Sequence, residues 1–348
     1  MARCRLCSKD SSLTSSFLGL CVDCIRNDFE SALFYIRQAH TQARKKFNLP
    51  VRIPQDSGGK VCSLCVNACQ VKPGSAGFCG LPLDSRQEAS LSYYYDPLPT
   101  NCVADWVCAG SYERGYNNLA VFYNACSFDC LFCQNWHFRE ADLSKRISAR
   151  ELASRVDQRT ACICYFGGDP TPQLPHSIEA SRLALELNKN GHLRICWETN
   201  GSMSGQHLKE MLEISLQSGG CIKFDLKAWT EELNIALCGT TNKQTLANFK
   251  FISSYIHKRP EPPLLVASTL LVPGYVDIYE IGRLAEFIAG LNPEIPYSLL
   301  AFHPHFYMHE LPTTSRSHAE KAKQAAQKAG LKNVRIGNIH LLSDDYTI

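Results

Sequence analysis

From residue 119 onward, short apolar runs alternate with stretches of helical period, and this alternation restricts the fold more than any other feature. The runs are "LAVFYNA", "ACICYFGG", "LRICWETNG", "CIKFDLKAW", "LLVASTLLVPG" and "YSLLAFHPH". Each is followed by an amphipathic stretch, for example residues 177–191 after the second run and "RSHAEKAKQAAQKAG" after the sixth. Strand–helix units in succession require a parallel sheet covered by helices. Six units are too few for the usual eight-stranded barrel, so the expected fold class is α/β, a partial (β/α)6 barrel closed by a last short run, "NVRIGN". In such barrels the chemistry sits at the C-terminal ends of the strands.

The second constraint is the chain's eighteen cysteines. No apolar run has the length of a signal peptide core or a membrane span, so the expected location is the cytoplasm, where disulfides are rare. The thiols cluster: Cys4, Cys7, Cys21 and Cys24; Cys62, Cys65, Cys69 and Cys79; Cys126, Cys130 and Cys133. Such spacing points to metal. The first set has the two-knuckle spacing of a structural zinc site with all four ligands supplied by the protein. The second suits zinc or an auxiliary [4Fe-4S] cluster. Cys102 and Cys108, either side of Trp106, read as buried residues or a substrate-site thiol pair, and Cys162, Cys164, Cys196, Cys221 and Cys238 as small core residues. Three segments are expected: a zinc-knuckle module and helical linker over 1–50, a second four-cysteine module and aromatic connector over 51–118, and the barrel over 119–348.

The third set reads Cys-x3-Cys-x2-Cys in "NACSFDCLFCQNW", directly after the first strand-like run. A cubane has four irons, so three thiolates leave one iron open for a small chelating molecule. With Phe132 before the last thiol, this stretch resembles the radical SAM superfamily. The resemblance implies that Cys126, Cys130 and Cys133 hold a [4Fe-4S] cluster. S-adenosylmethionine at the open iron would be cleaved reductively to a 5′-deoxyadenosyl radical. Gly167, Gly168 and Asp169 resemble the motif that receives the methionine ammonium. The "ETNG" and "FDLK" stretches resemble those of the pyruvate formate-lyase activating group. By that likeness Glu198, Thr199 and Asp225 line a monovalent-cation site and Lys227 binds the methionine carboxylate. His303, in "AFHPHFYM", is the candidate histidine for contact with the cofactor. The upstream "CSLCVNACQVKPGSAGFCG" and "DPLP" are most similar to AmmeMemoRadiSam-type proteins.

The resemblance implies an enzyme supplied with electrons by a donor such as flavodoxin or ferredoxin and acting on a protein, by activating a glycyl-radical enzyme. The alternative is radical modification of another peptide, a nucleic-acid base or a small metabolite. A nucleic-acid-binding zinc module without catalysis is the remaining reading. Against it, the knuckles "CRLCSKD" and "CVDCIRND" are charge-mixed, and the net charge of +3 gives no strong push toward nucleic acid or membrane.

Overall fold

The computed structural model describes residues 1–83, 88–100, 102–188 and 192–348. Its main sheet has eight strands: β1 (Leu91–Pro97), β2 (Asn117–Tyr123), β3 (Thr160–Gly167), β4 (Arg194–Thr199), β5 (Ile222–Asp225), β6 (Leu265–Leu271), β7 (Tyr297–Ala301) and β8 (Val334–Gly337). They lie side by side in chain order. All neighbours from β2 to β8 pair parallel, while β1 pairs antiparallel with β2. The six expected strand–helix units are therefore present, followed by the expected last strand. The antiparallel edge strand is an addition: of its run "LSYYYDP" only Leu91 is buried, so it lacks the apolar continuity of the inner strands.

Between the strands run helices including α4 (Leu174–Leu187), α5 (Gly205–Ser218), α6 (Glu231–Cys238), α7 (Lys243–Ser253), α8 (Ile278–Leu291) and α9 (Arg316–Lys328), with a short α3 (Ala149–Ala153) before β3. The last part of the helical run at 177–191, residues 189–191, lies outside the described residues. Pleat parity divides the side chains of each strand. On β4 and β5, Ile195, Trp197, Ile222 and Phe224 are buried against the helices, as in the edge-to-face pair of Phe224 with Phe249 on α7. The other face carries Arg194, Cys196, Glu198, Lys223 and Asp225. The apolar core therefore lies between sheet and helices, whereas the lumen is polar and rich in thiols.

Before the sheet come α1 (Val22–Asn27) and the amphipathic α2 (Phe29–Lys45). The side chain of Asp28 caps α2 by accepting from the Ser31 amide. Arg26 grips the start of α8 through Asp277 (2.7 and 2.8 Å) and Glu280 (2.9 Å). Gly274 marks another contact: a Cβ there would lie 2.1 Å from the Leu13 carbonyl oxygen, so only glycine lets the N-terminal segment approach. No helix among the described residues is long and apolar enough to cross a membrane.

Candidate active site

The loop leaving β2 carries Cys126, Cys130 and Cys133, and its path is fixed by backbone bonds to α6. The Asp129 amide donates to the Cys238 carbonyl (2.8 Å) and the Leu131 amide to that of Leu237 (2.9 Å). Asp129, between the first two thiols, is fully buried and accepts from Arg139 (2.6 Å), bonds to His40 Nδ1 (2.7 Å) and pairs with Arg44 (3.3 Å). Burial alone would push this carboxyl up. The His40 hydrogen bond and the Arg139 and Arg44 charges outweigh it and hold the carboxyl below the usual range. Since His40 and Arg44 both lie on α2, the N-terminal helix braces the thiol loop from behind. Sequence reasoning missed this group, although an acid inside "CSFDC" was a local signal.

The three thiols line a cleft of about 790 Å³, mouth included, with Gly167, Gly168, Asp169, Asn200, Asp225 and Lys227. Burial pushes Cys126 well up and Cys133 to about 12. Cys130 is raised first by its hydrogen bond with Cys238 and then by burial. Lys227 and Arg139 act the other way on Cys130 and Cys133, offering positive charge to balance thiolates.

Gly167 and Gly168 sit against the strand before the thiol loop. A Cβ on Gly167, at φ +108°, would lie 2.6 Å from the Tyr123 nitrogen, and one on Gly168 would lie 2.3 Å from the Ala125 carbonyl oxygen. Asp169 is buried and joins the loops after β3 and β4. It accepts from the Asn200 amide (2.6 Å), the Thr171 amide (2.8 Å) and the Thr199 hydroxyl (3.1 Å). Asn200 in turn donates to Ser127 Oγ (2.8 Å), beside Cys126.

Other expected residues are dispersed. Lys227 lines the cleft and bonds Asp225 (2.6 Å), whose other oxygen accepts from Ser268 (2.7 Å). Glu198, Thr199 and Asp225 are not gathered round one point, because Glu198 and Thr199 are strand neighbours that project to opposite faces. Glu198 bonds Lys223 (2.8 Å) in the lumen while Thr199 turns to Asp169. His303 is exposed beside His305, with ring centroids 5.0 Å apart, and is absent from the cleft lining.

The two N-terminal thiol sets differ in geometry. Cys4, Cys7, Cys21 and Cys24 hold their ligand atoms within 4.8 Å of one another, the one such group of three or more among the described residues. Cys62, Cys65, Cys69 and Cys79 instead surround a wider pocket. That segment is tied to the cleft. Asn67 donates to the Ser127 carbonyl (2.7 Å), and the Val66 amide donates to that of Ser202 (2.9 Å).

Residues 120–288 match the Radical SAM superfamily. An uncharacterized protein of Methanocaldococcus jannaschii is 25% identical over 304 residues, 80% of this chain and 81% of the relative. A putative glycyl-radical enzyme activating enzyme of the same organism is 28% identical, covering 53% of this chain and 68% of its own. The pyruvate formate-lyase 1-activating enzyme of Escherichia coli is 24% identical over 53% and 73%. Among solved structures, Streptococcus suis SuiB bound to S-adenosylmethionine matches with a TM-score of 0.48 and 15% identity, over 62% of this chain and 49% of that one. Residues 120–288, just under half of the chain, are thus similar to the Radical SAM superfamily, whose catalysis rests on a [4Fe-4S] cluster and S-adenosylmethionine.

Proposed function

We propose that this radical SAM enzyme abstracts a hydrogen atom from a protein substrate, activating a glycyl-radical enzyme. The observation that carries the site assignment is the cleft itself: three thiols from one loop, Cys130 buried and Cys126 and Cys133 half-buried, facing two glycines and a lysine on neighbouring strand ends. The substrate class is supported by the names of the two activating-enzyme relatives.

The donor set suits a cluster with one open iron: three thiols, cations at Lys227 and Arg139 for charge balance, and a cleft open beside them. When bound there, the cluster and S-adenosylmethionine supply reductive cleavage of a C–S bond and an alkyl radical. The chain's own residues position and shield. Gly167 and Gly168 leave backbone, with no side chain, at the cleft wall for the methionine ammonium. The Asp169 oxygens already accept from Thr171, Thr199 and Asn200, which assigns this acid to holding the loops. Lys227 presents a point charge to the methionine carboxylate. Phe128, Phe132 and Phe138 form the apolar part of the lining, keeping water from the reacting centre.

Zinc is assigned to Cys4, Cys7, Cys21 and Cys24, since a tetrahedral ion with Zn–S bonds of about 2.3 Å needs sulfurs about 3.8 Å apart. The wider set at Cys62, Cys65, Cys69 and Cys79 suits an auxiliary cluster better than zinc, and Asn67 links it to the residue after Cys126. The assignment at 62–79 is checked by iron, sulfide and zinc per chain in protein purified without oxygen. About eight irons place a second cluster there, whereas about four irons with two zincs return that set to zinc. The substrate reading is tested by electron paramagnetic resonance after incubating reduced protein and S-adenosylmethionine with anaerobic host extract. A glycyl doublet supports it; deoxyadenosine formation with repeated absence of the doublet favours another peptide, nucleic-acid or metabolite substrate.

A further inference from the structure

A second set of thiols occupies the opposite end of the barrel. Cys102, Cys108, Cys162, Cys164, Cys196 and Cys221 all line one cavity of about 460 Å³, opening included, at the N-terminal ends of β2 to β5. Cys162, Cys164 and Cys196 lie on β3 and β4, and Cys221 stands directly before β5. Cys102 and Cys108 come from the segment between β1 and β2, which crosses the barrel end. That segment is anchored on the far side: Trp106 donates to Ser298 Oγ on β7 (3.2 Å), and Asp105 pairs with Arg335 on β8 (2.9 Å).

A lysine fills the middle of this cavity. Lys223, 3% exposed, donates from its ammonium to Cys102 Sγ (2.9 Å), Cys164 Sγ (3.2 Å) and the Glu198 carboxylate (2.8 Å). Burying an ammonium costs several kcal/mol unless negative charge compensates it, and Glu198 supplies that charge. The other two N–H groups are spent on sulfur, a weak acceptor. Hydrogen bonds from nitrogen to oxygen are about 2.9 Å long. Sulfur is the larger atom, so Nζ and Cys102 Sγ stand close for such a bond, near enough to be joined through one oxygen atom. The free space beside them is about that of a water molecule, which admits dioxygen and little else. Burial pushes Cys102 up to about 12, against the pull of the Lys223 charge, so the pair rests as a thiol beside an ammonium.

We propose that Lys223 and Cys102 form a site of covalent modification, at which dioxygen joins Nζ to Sγ through a single oxygen atom. In this step the Cys102 S–H bond, two N–H bonds of Lys223 and the O–O bond break, while one S–O and one N–O bond form. Sulfur and nitrogen each give up two electrons, and dioxygen takes all four. Of the three hydrogens released, two leave with the second oxygen as water and one passes as a proton to Glu198, already bonded to Lys223. Cys102 takes the bond rather than Cys164 because its contact is shorter and it lies outside regular structure, where it can adjust, whereas Cys164 is held within β3. The product is neutral at nitrogen, which removes a buried charge, and it straps the crossing segment to β5. That strand ends at Asp225, which bonds Lys227 in the cleft (2.6 Å), so the strap fixes the element from which the cleft lysine is held.

The test uses the full wild-type chain purified without oxygen and then divided between air and nitrogen. Catalase and an iron chelator are present, so that peroxide and released iron do not enter the result, and the reading is made at the peptide, independently of the cleft assignment. Digestion and mass spectrometry should find, in the air sample alone, a peptide pair joining Cys102 to Lys223 and heavier than its parts by one oxygen less two hydrogens. Dithiothreitol should release the two peptides at their original masses. Alkylation of Cys102 after denaturation should be lost in air and restored by the same reductant. Lys223→Arg, which keeps the cation, should prevent the link and leave Cys102 open to alkylation. No link after exposure to air overturns the proposal. So does a disulfide between Cys102 and Cys164, an oxidised Cys102 beside an unmodified Lys223, or a link to Cys164 in its place. The wild-type chain carries the decisive reading, so a variant that fails to fold leaves the result standing.

Discussion

The two ends of the barrel gather thiols in opposite ways. At the C-terminal end three cysteines lie within eight residues of one loop, held by α6 behind and by a buried acid with its cations beneath. At the N-terminal end six cysteines arrive from separate places in the chain, brought together by strand register and by the segment between β1 and β2 that carries Cys102 and Cys108. A local motif announces its chemistry by spacing. A site built by pleat and register shows only that an unusual residue type recurs where aliphatic residues would serve.

The largest expected effect falls on the C-terminal end alone. Cys130→Ala is expected to abolish deoxyadenosine formation and to lower bound iron by about four per chain. Normal turnover would remove the cluster from the Cys126 loop.

Asp129→Ala tests the brace. It leaves Arg44 and Arg139 buried without their acid, and breaking such a pair costs about 3–5 kcal/mol. Urea unfolding followed by circular dichroism should show a lower midpoint, and iron bound at the cleft should fall. A variant as stable as the parent would show that the ion cluster is incidental.

A smaller effect separates the ends by pH. His176, bonded to the Tyr123 hydroxyl beneath the cleft (2.9 Å), is pushed down to about 4 by burial, against backbone hydrogen bonds that act the other way. Its folded value lies below its unfolded one. Its contribution is therefore complete above pH 6.5 and lost as pH falls from 6.5 toward 4, by about 1.4 kcal/mol per pH unit. His176→Gln should flatten the unfolding midpoint over that window. An unchanged slope would mean that His176 is protonated in the folded chain.

Smallest is Asn67→Ala, which leaves the buried Ser127 carbonyl without its donor at a cost of about 1–2 kcal/mol. If the 62–79 segment relays electrons, deoxyadenosine formation with a physiological reductant should slow more than with a small chemical one. Equal slowing would limit Asn67 to holding the loop.

Much of the barrel was legible because its signals are local. The parallel strands from β2 to β8 follow from apolar runs ended by turns, and Gly167 and Gly168 lie at a strand end as their motif implied. What was not legible depends on distance along the chain. Nothing near Asp129 announces partners at 40 and 44, and nothing near Cys102 announces Lys223. For Glu198 and Thr199 a rule available from the sequence places the side chains: consecutive strand residues face opposite sides, Glu198 toward Lys223 and Thr199 toward Asp169. His303 lies exposed beside His305 and outside the cleft lining, a placement that its position after β7 left open.

The brace at Asp129 also has a consequence for the order in which the molecule is made. The His40 and Arg44 side chains emerge early in synthesis. Their acid is added about ninety residues later, and the α6 carbonyls that fix the thiol loop follow a further hundred residues on. Until Asp129 is made, α2 lacks the acid that joins its two basic side chains, and until α6 exists the Cys126 loop has no fixed path. A fixed path for the three thiols of the cleft therefore comes only after most of the barrel has been translated, whereas the four thiols of the Cys4 to Cys24 set are all made with the first segment.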